Sequence, residues 1–111
     1  MEAKAKLKHA RITPRKARRV IDLIRGKKAG EALLSLKFMP YRASGHIEKI
    51  LKAAMFNAEN KDANIDSESL LISRAFVDQG PVMKRIQQRA MGRANVIRKR
   101  TCHITLTLTD K

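Results

Sequence analysis

A chain of 111 residues, 43% of them hydrophobic, is long enough for one domain with its own core and too apolar for a disordered tail. Its net charge of +15, from 25 Lys and Arg against 10 Asp and Glu, points to a polyanionic partner, nucleic acid ahead of an anionic membrane surface. The single cysteine, Cys102, excludes an internal disulfide, and no apolar run reaches the ~20 residues of a membrane helix.

The charge is segregated. Residues 1–28 hold 11 basic side chains against two acids, residues 29–78 hold six against seven, and residues 79–109 hold seven against none. The middle of the chain thus reads as ordinary domain material, and both flanks read as binding surfaces. The N-terminus lacks an apolar signal core, so a soluble, intracellular chain is expected.

In chain order, "AKAKLKHA" alternates Ala3, Ala5 and Leu7 with Lys4, Lys6 and Lys8, the period of a half-exposed strand. Its lysines serve either as edge protection or as RNA contacts. "ITPRKARRVIDLIRG" reads as a helix, with Thr13 as N-cap, Pro14 in the first turn and Gly26 as a left-handed stop. Ala17, Val20, Ile21 and Ile24 form its buried stripe. Arg15, Arg18, Arg19 and Arg25 fall elsewhere; their mutual repulsion and the forked geometry of guanidinium favour phosphate binding over a merely solvated face.

"AGEALLSLKF" is a short helical piece limited by Pro40. From Tyr41 to about Asn60 a longer helix presents Ala43, Ile47, Ile50, Leu51, Ala54 and Ala58 on one stripe. A polar loop, "NKDANIDSES", leads to the strand "LLISRAFVD". The last strand, "HITLTLTD", alternates Ile104, Leu106 and Leu108 with threonines. Met39 and Met55 are expected in the core. The four aromatic residues are also expected to be buried, so base stacking is not expected as the main binding mode.

Between the last two strands lies "GPVMKRIQQRAMGRANVIRKRT", with seven basic residues and no acid. It reads as two strands reversing at Gly92, with Arg89–Arg93 as the loop. Basic residues fall on both sides of both strands, so neither face packs on a protein core. A bare two-stranded hairpin is marginal in water, so something anionic on both sides is expected to hold it. A crevice in folded RNA meets that condition; a flat membrane meets only one side. About ten residues per arm give a reach of roughly 30 Å.

The expected fold is α+β: a small antiparallel three-stranded sheet packed on three helices, with a long protruding β-hairpin arm. One domain is expected over 1–111, with a globular body at 1–79 and 103–111 and the arm at 80–102. Candidate nucleic-acid contacts are Lys8, Arg11, Arg15, Lys16, Arg18, Arg19, Arg25, Lys27, Lys28, Lys84, Arg85, Arg89, Arg93, Arg98, Lys99 and Arg100. Phosphate contacts from such residues position a protein, while specificity comes from RNA shape.

"RITPRKARRVIDLIRGKK", "AAMFNAEN", "VDQGPVMKRIQQRAMGRA" and "IRKRTCHITLTLTD" together resemble the bacterial-type large ribosomal subunit protein L-twenty-two family, in order from about Lys8 to the end. The resemblance implies a structural, non-catalytic protein that binds large-subunit rRNA during early assembly, in the cytoplasm within the ribosome or in an organellar ribosome. It implies neighbouring large-subunit proteins and the nascent polypeptide as partners, with neither membrane nor DNA. It also implies that the hairpin lines the nascent-peptide exit tunnel near its narrowing. Carried over, Met83, Lys84 and Arg85 lie on the arm, and Arg89, Ala90, Met91, Gly92 and Arg93 form the tip. In the family this hairpin is linked to macrolide response and stalling peptides. Met91 stands where members commonly carry Lys, and Gln87-Gln88 where a Pro often precedes the tip arginine.

Competing functions are weaker. A DNA-bending protein with a basic ribbon in the minor groove is the second reading. An enzyme is the third, but paired carboxylates, a nucleophile constellation and a phosphate-binding loop are missing. "GKKAG" lacks the upstream glycine and the hydroxyl residue of a P-loop. His9, His46 and His103 have no metal-ligand spacing, and Cys102 and His103 point to opposite faces as strand neighbours. No cofactor or metal is expected.

Overall fold

Strand β5, Cys102–Thr109, carries no charge and lies at the centre of an antiparallel sheet of order β1-β5-β2. The charged strands β1 (Glu2–Ala10) and β2 (Leu71–Gln79) take the two edges. A charge-free strand tolerates neighbours on both sides, whereas lysine and arginine belong where water reaches them. A computed structural model describes residues 2–88 and 94–110, with backbone alone at 83, 85–88 and 94–98. The remaining elements are α1 (Pro14–Ile24), α2 (Ala29–Phe38), α3 (Arg42–Lys61), a 3-10 turn at Ser67–Ser69, β3 (Met83–Gln88) and β4 (Ala94–Lys99). The α+β arrangement of three helices and a three-stranded antiparallel sheet is the one expected from periodicity.

The apolar stripes explain the layering. Ala17, Val20, Ile21 and Ile24 of α1 are fully buried, as are Ile47, Leu51, Ala54 and Ala58 of α3. They meet Ala3, Ile72, Ile104, Leu106 and Leu108 from one face of the sheet in a single cluster. Each large side chain so buried contributes about 1.5–3 kcal/mol from removal of apolar surface. Met55 is buried, and Met39 packs at the margin of the core.

Thr13 occupies the N-cap position of α1 with extended backbone, but its side chain makes no capping hydrogen bond. Pro14 in the first turn removes one unpaired donor instead. Gly26 has φ +83°, the left-handed stop read from the sequence. His9 also has a positive φ, 59°, at an irregularity where the β1–β5 register shifts between Leu7 and Ala10.

The aromatic residues depart from expectation. Phe38 is 81% exposed, Phe56 63%, Phe76 43% and Tyr41 38%, so none of the four belongs to the core. The buried cluster is made of aliphatic side chains with Met55 and Cys102, and the four rings fall outside its stripes.

Strands β3 and β4 pair with each other in a separate two-stranded sheet, with Met83 opposite Lys99, Lys84 opposite Arg98 and Ile86 opposite Val96. The expected loop, Arg89 to Arg93, lies outside the described residues.

Candidate nucleic-acid interface

The sheet register brings the two basic flanks of the sequence to one end of the molecule. Cys102 of β5 pairs with Ala10 on one side and with Gln79 on the other. Arg11 therefore leaves β1 at the same end of the sheet where Gly80 starts the path to β3. Helix α1 runs antiparallel to β2, since Arg18 reaches Val77 and Arg25 reaches Ala75. Its first turn, with Arg15 and Lys16, thus also faces that end.

The junction between sheet and hairpin is tightly built. The Gly80 amide donates to the Thr101 carbonyl at 3.0 Å, and the Thr101 hydroxyl donates to the Pro81 carbonyl at 2.6 Å. A β-carbon at Gly80 would lie 2.6 Å from Thr101 Oγ1, a hydroxyl held in place by that hydrogen bond, so the position requires glycine's small size. Beside the junction, Lys84 and Arg100 line a cleft of about 290 Å³ together with Gln79 and Val82.

The sequence-derived cations divide by location. Lys8, Arg11, Arg15, Lys16, Lys84, Lys99 and Arg100 are exposed and belong to the junction end or the hairpin. Arg85 and Arg98 hold register positions opposite Ile97 and Lys84, so the basic pairs Lys84-Arg85 and Arg98-Lys99 lie at the same level of the two hairpin strands and fall on both of their faces. Lys27 and Lys28 sit at the other end, where Lys28 bridges to Leu71 and the Lys27 carbonyl accepts from the Ile72 amide. Arg89, Ala90, Met91, Gly92 and Arg93 lie outside the described residues.

Two of the four α1 arginines have a second task. Arg18 Nη2 donates to the Val77 carbonyl at 3.0 Å. Arg25 donates to the Ala75 carbonyl from Nε at 3.0 Å and from Nη2 at 2.6 Å, while its Nη1 meets Asp22 at 2.8 Å. Together with Gly26 donating to the Ile72 carbonyl, they satisfy the outward carbonyls of edge strand β2. The opposite edge is treated alike: Asn57 and Lys61 of α3 donate to the Lys4 and Glu2 carbonyls of β1 at 2.7 and 2.5 Å. Arg19 stands over the Tyr41 ring, 5.6 Å from its centroid, which limits the orientations of its guanidinium.

Among the described residues, Cys102 and His103 do not form a catalytic pair. Cys102 is fully buried on the helix side of the sheet. Burial pushes its thiol above the usual range, and the Arg18 charge offsets part of that. His103 faces the other side, where its Nδ1 accepts from the His9 amide at 3.0 Å. The two imidazoles meet edge to face at 4.9 Å between centroids. Among the described residues, no group of three His, Cys, Asp or Glu is arranged to hold a metal.

Sequence reading missed one exposed side chain near this end, Phe76. The signal was present: Phe76 shares strand parity with Arg74 and Asp78, and Ala75 and Val77 take the buried positions.

Comparison with known proteins gives a consistent picture. Residues 5–109 match the family pattern of "Ribosomal protein L22p/L17e". Over 111 residues, all of this chain, it is 56% identical to the large ribosomal subunit protein uL22 of Halothermothrix orenii, of which 97% is covered. It is 52% identical to proteins of the same name from Desulforamulus reducens and Pelotomaculum thermopropionicum, with all of this chain and 97% of each relative covered.

Proposed function

The chain belongs to the ribosomal protein L22p/L17e family, whose members are structural parts of the large ribosomal subunit and not enzymes, and from that premise we propose that it binds large-subunit rRNA through the junction end and hairpin and lines the nascent-peptide exit tunnel with the hairpin. The observation that carries this reading is the convergence of the two basic flanks. Residues 11–16 and the hairpin's base at Lys84, Lys99 and Arg100 are far apart in sequence, yet pairing of Cys102 with both Ala10 and Gln79 makes both segments leave the sheet at the same end. Phosphates arranged around this end are met by Lys and Arg from two directions.

The hairpin supports the tunnel reading in the same terms. Among the described residues its strands pair only with each other, and consecutive basic residues, Lys84-Arg85 and Arg98-Lys99, put cationic positions on both sides of the ribbon. A ribbon of this kind finds its counter-charge outside its own body, which agrees with a globular part at 1–79 and 103–111 and an arm at 80–102. Neighbouring large-subunit proteins and the nascent polypeptide are the further partners, in the cytoplasm of a bacterial cell. Among the described residues no helix is long and apolar enough to cross a membrane.

The test is a salt titration of full-chain binding to large-subunit rRNA. Six or more phosphate contacts give a log–log slope of about −4 or steeper. A slope near zero, or tighter binding to bent duplex DNA than to the rRNA, overturns the proposal. A density map of the assembled subunit then places the hairpin inside or outside the tunnel wall.

A further inference from the structure

Helices α1 and α3 pack on one face of the body sheet and α2 packs on α3; among the described residues no helix covers the other face. The register orders this bare face into rows. Lys4, Thr107 and Arg74 form one row; Lys6, Thr105 and Phe76 form the next, one step closer to the hairpin junction. Lys4, Lys6, Arg74 and Phe76 are exposed, with Phe76 at 43%. The threonines are short and lie low between the two rims, Thr107 buried and Thr105 partly so. The Thr105 hydroxyl is covered by its surroundings and has no hydrogen-bond partner in the protein.

We propose that this helix-free face is a second RNA-contact surface, on which Phe76 stacks against an unpaired base while Lys4, Lys6 and Arg74 hold the flanking phosphates. The proposal rests on the rRNA-binding reading above and adds a contact mode that the phosphate-only account lacks. Three observations select RNA as the occupant. First, the face is positively charged through Lys4, Lys6 and Arg74, with acids among the described residues only at its ends, Glu2 beside Thr109 and Asp78 beside His103. Second, a single phenyl ring flanked by Lys4, Lys6 and Arg74 is a poor centre for a protein interface, where charge is depleted around apolar anchors. The same ring is well suited to a base, because every base offers a π-face and the cations meet the backbone on either side. Third, the face runs into the junction end without interruption, since the row of His103 and Asp78 is followed by Thr101 and Gly80. RNA seated on one surface reaches the other.

The spacing is compatible. Strands lie about 4.8 Å apart, so Lys6 and Phe76, separated by β5, stand roughly 10 Å apart across a flat floor. Phe76 also sits on the strand whose edge α1 clamps through Arg18 and Arg25, which holds the ring's backbone still.

The test uses the full chain with full-length large-subunit rRNA, measured over a salt series. Phe76→Leu keeps the apolar bulk and removes the π-face; it should weaken binding on the order of tenfold and leave the salt slope unchanged. Phe76→Trp should retain wild-type affinity. Lys6→Gln should lower the slope by just under one unit. Short-wave ultraviolet cross-linking should recover a nucleotide on the peptide that contains Phe76. Thermal melting confirms that each variant is folded. If Phe76→Leu and Lys6→Gln bind like wild type while Arg15→Gln and Lys84→Gln weaken binding, this proposal fails and the rRNA reading stands. If all four bind like wild type, both fail. Cross-linking of the Phe76 peptide to another protein in assembled subunits, and not to RNA, also overturns it.

Discussion

The guanidinium of Arg25 grips the carbonyl oxygen of Ala75 twice, from Nε at 3.0 Å and Nη2 at 2.6 Å, and so ties the end of α1 to the open edge of the sheet. Arg15, three positions before Arg18 on the same helix, is exposed at the junction end. Of these two arginines, one is engaged in holding the fold and the other is left facing outward at the junction end. Arg25→Gln should lower stability to urea by about 1 kcal/mol, because charge-assisted hydrogen bonds to carbonyls are worth more than neutral ones but this one is half solvated. Arg15→Gln should change stability by less than about 0.5 kcal/mol and reduce the salt slope of rRNA binding by just under one unit. Equal loss of stability in both variants would contradict the division.

Gly80→Ala tests the junction. The new methyl group meets Thr101 Oγ1 at 2.6 Å, and that hydroxyl is already engaged with the Pro81 carbonyl. The expected cost is about 1–3 kcal/mol, read as a lower urea midpoint. Adding Thr101→Ala should restore part of the loss, since the clash and the mutation that removes its cause are coupled. Purely additive destabilisation in the double variant would show that the contact is relieved by other means.

Cys102 makes stability depend on alkaline pH. Burial raises its thiol pKa in the folded state, with partial relief from Arg18. The stabilisation is therefore fully present below the ordinary thiol value and is lost as pH rises through that value toward the folded one. Compared with Cys102→Ala, the wild-type chain should lose stability more steeply as pH rises above the ordinary thiol value of about 8.5. Thiol-specific reagents should label Cys102 slowly in native protein and rapidly in urea. Fast native labelling would refute the buried placement.

Core and surface apolar residues should respond in opposite ways. Leu106, fully buried at the centre of β5, should cost about 2–5 kcal/mol on replacement by Ala. Phe38, 81% exposed, should tolerate Ser within about 0.5 kcal/mol. Chemical denaturation of the two variants side by side decides the matter.

The elements were legible because periodicity is a local property. Ala17, Val20, Ile21 and Ile24 recur at 3.6 residues and Ile104, Leu106 and Leu108 at two, whatever lies around them. Net charge and its segregation were equally legible, and with them the class of partner. The aromatic residues were misread because hydrophobicity alone says that a ring prefers burial, not that the core has room for it. The parity of Phe76 with Arg74 was the better guide.

By itself, the amino-acid order determined which residues form helices and strands, which faces are apolar, and that the chain needs an anionic partner. Tertiary structure alone decided that β5 lies between β1 and β2, and therefore that Arg11 and Gly80 leave the sheet at the same end. It likewise decided that Arg18 and Arg25 serve an edge strand while Arg15 does not. The reason is physical: an unpaired carbonyl on β2 has no trace in the sequence of the helix that satisfies it. Strand order is set by pairings between segments tens of residues apart, which local patterns do not encode.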